Sequence, residues 1–181
     1  MKYLSFYLAF ARRLAVLLAV MAFWCDGLSA QVNVNHVMLS VGALYERGFD
    51  ATLSIEHYTK YHSAWEYFII GYLKYEKDPD VGHVTRSSFW DSYNSWHVGA
   101  AYKPCIKRGR NRHTNFRIGA SAGSDRNRFL GGIHVGFEQT YSLRNGFEIF
   151  FQVKEDFIIR GKDKFRTGVT AGIKLPLRIY Y

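Results

Sequence analysis

The sequence predicts an all-β chain: an eight-stranded antiparallel up-and-down barrel behind an N-terminal leader. Three observations predict it. Past residue 31, apolar residues recur at every second position, in segments of about 10 residues separated by turn chemistry. The opposite face of those segments mixes glycines with charges of both signs. Aromatic residues, 17% of the chain, gather near the segment ends. An apolar outer face, a polar inner face and aromatic rims are the pattern of an outer-membrane barrel, with lipid outside and a filled lumen inside.

Residues 1–30 read as a secretory signal peptide, leaving residues 31–181 as the barrel domain. Lys2, Arg12 and Arg13 give a positive start, Leu14 to Trp24 is a short apolar run, and Leu28-Ser29-Ala30 is a small-residue cleavage site. The run is shorter than the ~20 residues of a membrane-spanning helix. Cleavage would remove Lys2, Arg12, Arg13 and Asp26, a net +2, so the formal charge of +9 would fall to +7. It would also remove Cys25 and leave Cys105 as the one thiol, so no internal disulfide is expected.

The expected strands follow in order. The first, His36 to Tyr45, sets Val37, Leu39, Val41 and Ala43 against Ser40 and Gly42; Arg47-Gly48 turns it. The second, Asp50 to Tyr58, sets Leu53 and Ile55 against Thr52, Ser54 and Glu56, and Thr59 to Ser63 is a short polar turn. The third, Trp65 to Glu76, is apolar on both faces at its middle but carries Glu66 and Lys74 on the second. Asp78 to Asp91 is the longest connection. The fourth, Ser95 to Lys103, sets Trp96, Val98, Ala100 and Tyr102 against His97, Gly99, Ala101 and Lys103.

A basic turn with Lys107, Arg108, Arg110 and Arg112 follows, and is read as a solvated turn, or one facing a periplasmic partner or acidic lipid headgroups. The fifth strand, Asn115 to Gly123, sets Phe116, Ile118, Ala120 and Ala122 against Arg117, Gly119, Ser121 and Gly123. The sixth, Phe129 to Tyr141, sets Ile133, Val135 and Phe137 against His134, Gly136 and Glu138. Arg144-Asn145-Gly146 contains the Asn-Gly hairpin signal. The seventh, Phe147 to Ile159, sets Phe147, Ile149, Phe151 and Val153 against Glu148, Gln152 and Lys154. The closing strand, Phe165 to Tyr181, alternates Val169, Ala171, Ile173, Leu175 and Leu177 with Thr170, Gly172, Lys174 and Pro176.

The expected lumen charges are Glu56, Glu66, Lys103, Arg117, Glu138, Glu148, Lys154 and Lys174, a structural network, because buried charges must be paired. A soluble lipocalin-like barrel would show the reverse, an apolar lumen and a charged exterior. With the N-terminus in the periplasm, Asp78 to Asp91 would face outside the cell and the basic turn would face the periplasm. Pro176, which cannot donate to a ladder, would sit at the periplasmic rim.

Catalytic signatures are missing from the sequence: there is no phosphate-loop lysine, no His-Glu-x-x-His, no CxxC and no G-x-S-x-G elbow. His97 and His134 share the mixed face but sit on strands that are not neighbours, so neither a metal site nor another cofactor is expected. The basic residues lack an interleaved stacking platform, so direct nucleic-acid binding is not expected either.

Three stretches carry a resemblance. They are Tyr58-Thr59-Lys60 followed by Trp65; Arg128-Phe129 to Gly131-Gly132 with Glu138 and Tyr141; and Lys154-Glu155 leading to Phe165–Leu177. In these the chain resembles the TraO family of conjugative-transposon proteins from Bacteroidetes. The resemblance implies a non-catalytic component of the conjugal DNA-transfer apparatus at the cell envelope, in contact with other apparatus proteins and with outer-membrane lipid. The expected location is the outer membrane of a Gram-negative cell, reached through a cleaved signal peptide. Two alternatives stand beside it: a small-barrel enzyme acting on outer-membrane lipid, and a lipocalin-like periplasmic binding protein.

Overall fold

The computed structural model describes residues 35–45, 47–59, 62–75, 82, 93–125, 127–143 and 146–177. The expected leader, most of the 78–91 connection, Arg144-Asn145 and the tail 178–181 lie outside them.

The strands are β1 (Asn35–Leu44), β2 (Gly48–Tyr58), β3 (Ala64–Lys74), β4 (Asn94–Lys103), β5 (Cys105–Arg108), β6 (Arg112–Asp125), β7 (Phe129–Ser142), β8 (Glu148–Ile159) and β9 (Phe165–Leu177). The ladder order is β4-β3-β2-β1-β9-β8-β7-β6, and β4 also pairs with β6, which closes the ring. The first and last strands of the barrel, β1 and β9, are hydrogen-bonded neighbours, with Leu39 opposite Ile173.

The closure has a measurable stagger. Stepping sideways from Ala122 on β6, the ladder partners are Val98, Ile69, Leu53, Leu39, Ile173, Ile149, Tyr141 and finally Arg112, again on β6. The walk returns ten residues from its start, 122 − 112. At about 3.3 Å per residue and about 4.8 Å between strands, this stagger over eight strands tilts them by about 40°. A barrel of this size has an interior that side chains just fill.

Alternation sorts the side chains. On β9, Ile173, Leu175 and Leu177 are 44%, 37% and 43% exposed while Lys174 is 0% exposed. The same parity holds on β8, where Ile149, Phe151 and Val153 face out and Phe150, Gln152 and Lys154 face in. A continuous exposed belt of Leu, Ile, Val and Phe covers the wall. Soluble monomers rarely present a contiguous apolar patch of such extent. Stacked or tilted aromatic pairs mark both ends of it: Trp65–Tyr102 and Phe116–Phe137 at the end that holds the start of β1, and Phe49–Tyr75 and Phe157–Phe165 at the other.

Two glycines are required by local geometry. Gly146 has φ +79°, a left-handed conformation in which glycine costs least, and it closes the β7–β8 turn. At Gly99 a Cβ would fall 2.3 Å from the Ala120 carbonyl oxygen and 2.6 Å from the Phe68 ring, so only glycine fits there. Pro176 is the penultimate residue of β9, opposite His36 at the rim.

The basic turn after the fourth strand is corrected by the structure. Lys107 and Arg108 belong to a strand, β5, and Arg112 opens β6; only residues 109–111 turn. Pro104 has no N–H and breaks the β4 ladder. The chain then resumes pairing with β6 through a bulge between Cys105 and Lys107. The connection is long because β5 and the start of β6 pair as a hairpin. It carries the one strand beyond the eight expected.

Candidate functional site

The lumen is the candidate site, and it is built from the inward residue of each strand pair. All eight expected charges point into it; each is no more than 8% exposed. The centre is a four-membered ring. Lys103 Nζ lies 2.5 Å from Glu56 Oε2 and 2.7 Å from Glu138 Oε2, while Lys174 Nζ lies 2.7 Å from both Glu56 Oε1 and Glu138 Oε1. Each carboxylate thus gives one oxygen to each lysine. The four residues come from β4, β2, β9 and β7, every second strand around the ring. Opposite walls are thereby tied across the axis.

The ring is extended upward and downward. Above it, Arg117 donates from Nε to Glu66 Oε2 at 2.7 Å and lies over the Phe68 ring, and Glu66 also reaches Lys103 at 3.2 Å. Below it, the Tyr58 hydroxyl donates to Glu148 Oε2 at 2.8 Å and accepts from Lys174 at 3.3 Å. Having spent its one proton, Tyr58 accepts from His113 Nε2 at 3.1 Å, which places a proton on that nitrogen. Lys154 bridges Asp50 and Asp156, the latter at 3.1 Å. At the far rim Lys74 and Tyr72 hold Asp163 at 2.6 and 2.9 Å.

Several functional neighbours escaped the sequence reading. Asp50, Asp156 and Arg166 are each no more than 4% exposed and share the inward parity of Glu56, Lys154 and Lys174. Continuing the period-2 count to the strand ends would have found them.

The strands of His97 and His134 are not ladder neighbours, as expected, yet the two side chains are linked. They lie on β4 and β7, with β6 between, and Ser121 of β6 joins them. Its Oγ is 2.7 Å from His134 Nε2 and 3.4 Å from His97 Nδ1. His134 Nδ1 in turn is 2.7 Å from Asp156 Oδ1. A carboxylate only accepts, so His134 carries its proton on Nδ1, and Nε2 accepts the Ser121 hydroxyl proton. This is the connectivity of an acyl-transfer triad, found inside the barrel and away from the lipid side.

Its surroundings are closed. A Cβ at Gly132 would fall 2.6 Å from Ser121 Oγ, and Leu130, Ile158, Tyr72 and Arg166 cap that end at no more than 2% exposure. The lumen void lined by Ser40, Glu66, Arg117 and Gln152 measures about 10 Å³, room for one water, and does not reach Ser121. Among the described residues no group of three or more His, Cys, Asp or Glu is arranged to hold a metal ion. Partial burial raises the Cys105 thiol pKa above its ordinary value, although Arg108 pulls the other way.

Fold and lumen together define the class: a closed eight-stranded barrel of the outer-membrane type with a filled, cross-braced core. No family model matches the chain, and no curated protein matches it. Among solved structures, the crystal structure of Neisserial surface protein A (NspA) is similar over 80% of this chain and 96% of its own, with a TM-score of 0.53 and 13% identity. A chain from a de novo design of transmembrane β-barrels is similar over 83% of this chain and 100% of its own, with a TM-score of 0.48 and 10% identity. What this chain shares with the Neisserial protein is the fold.

Proposed function

We propose that the protein resides in the outer membrane of a Gram-negative cell and serves the mating apparatus of a conjugative transposon as a structural, non-catalytic component. The observation that carries the membrane assignment is the reversed polarity of the barrel, ions within and an apolar belt without. The transfer role is supported by the TraO-like stretches at Tyr58–Trp65, Arg128–Tyr141 and Lys154–Leu177. Because the lumen is occupied by paired charges, such a component acts through its outer wall and rims, and DNA does not thread through it. Deleting the gene in a donor strain is expected to abolish transposon transfer while leaving growth unchanged. Wild-type transfer frequency in the deletion strain would remove this role.

A second reading, a barrel enzyme acting on lipid esters, is favoured by one observation, the Ser121–His134–Asp156 alignment. The plugged surroundings argue for a hydrogen-bonded brace instead. A fluorophosphonate probe applied to the refolded protein is therefore expected to leave Ser121 unlabelled. Labelling that disappears in Ser121→Ala would establish a nucleophile and reverse the choice. A lipocalin-like binder needs an apolar cavity, and the inward residues at the centre of this lumen are ionic. Recovery of the mature protein in the soluble periplasmic fraction would favour that reading.

A further inference from the structure

We propose that the β5–β6 hairpin is a clamp for the phosphodiester of an anionic phospholipid in the leaflet it faces; this rests on the membrane reading above. From Lys107 to Arg112 the hairpin presents four cations and no acid, and all four are exposed. Among the described residues none of them forms an ion pair, whereas Lys103, Lys154 and Lys174 inside the barrel each meet at least two carboxylates.

The cations are held in place. Gly109 N–H donates to the Arg112 carbonyl at 2.7 Å, and Ser142 N–H donates to the Asn111 carbonyl at 2.9 Å. Cys105 N–H donates to Ser63 Oγ at 3.2 Å, fastening the hairpin to the β2–β3 turn.

Their position is that of lipid phosphate. Arg112 lies opposite Tyr141 on the outward face, and Lys107 lies opposite Thr114. Further up the same face come the Phe116–Phe137 pair and then Ile118, which is 48% exposed. Ile106, in the bulge, is 60% exposed beside the cations. A ligand matching this order carries a negative head and apolar chains running up the wall. A phospholipid has that shape; an acidic protein segment does not require the apolar rows. Cations just beyond an aromatic row are attracted to anionic lipid surfaces.

The test uses the whole refolded chain in vesicles of phosphatidylcholine, with and without a minority of phosphatidylglycerol. Lipid that stays with the protein on extraction is counted by native mass spectrometry. The expected result is a several-fold enrichment of phosphatidylglycerol over the bulk ratio, falling to the bulk ratio in the quadruple variant K107Q/R108Q/R110Q/R112Q. Heat-modifiable gel mobility in pure phosphatidylcholine is expected for both proteins. As a check independent of any variant, the wild-type enrichment should collapse near 1 M salt, where screening reaches about 3 Å.

No enrichment in the wild type, or enrichment that survives both high salt and the variant, overturns the clamp and leaves the membrane reading standing. A soluble polyglutamate peptide that displaces the phosphatidylglycerol completely would assign the hairpin to a protein partner. Failure of the wild type to insert into either vesicle overturns the membrane reading, and the clamp with it.

Discussion

Replacing Lys174 with methionine is expected to destabilise the barrel by about 3–5 kcal/mol, the cost of leaving a buried carboxylate pair short of one of its cations. Lys174 is 0% exposed, bridges Glu56 and Glu138 at 2.7 Å each, and donates to Tyr58. Methionine keeps most of the volume but removes the charge. Glu56 and Glu138 would then share Lys103 as their common cation, and Glu138 Oε1 would keep only the Thr140 hydroxyl at 3.1 Å. Urea unfolding of the refolded protein in detergent micelles measures the loss. The double variant K174M/E138Q should recover part of it, because one of the uncompensated charges is gone. A midpoint shift worth less than about 1 kcal/mol would mean that the ring fills space without bracing the wall.

Placing arginine at Val153 gives the second large effect, and one that separates lipid from water. Val153 is the sixth of the twelve residues of β8, is 59% exposed, and lies between Phe137 and Val169 in the ladder. Near the middle of a bilayer such a change costs about 2–4 kcal/mol. On a wall facing water it would fall within about 0.5 kcal/mol of neutral. Folding titrations in phosphatidylcholine vesicles decide between the two, and a neutral result would strip the apolar belt of its membrane meaning.

Much of this was readable from the period-2 pattern alone. Val37 through Leu177 alternate so regularly that the inward and outward sets follow from parity, and all eight expected lumen charges lie inside. The partners across the lumen were not readable. That Glu56 meets both Lys103 and Lys174 depends on a stagger of ten summed over eight ladders, and a slip of one residue at any ladder would turn a whole strand over. The pattern sets His97 and His134 apart because period-2 alternation relates only residues on paired strands. In a barrel this narrow, strands two apart still meet through the residue between them, here Ser121. The hairpin after Pro104 was hidden for a different reason. Four cations in six residues read as a solvated loop, and nothing in local chemistry says that Thr114 and His113 supply a ladder for them.

The seam between β1 and β9 carries a consequence for biogenesis. The strand that must bond to Asn35–Leu44 follows all the other strands of the barrel in the chain, and it brings the ammonium that completes the ring around Glu56 and Glu138. Until that strand pairs, the wall stays open along the edge of β1. Closure is therefore a late event of folding: it requires β9 to meet β1 across a ring whose other strands all lie between them in the chain.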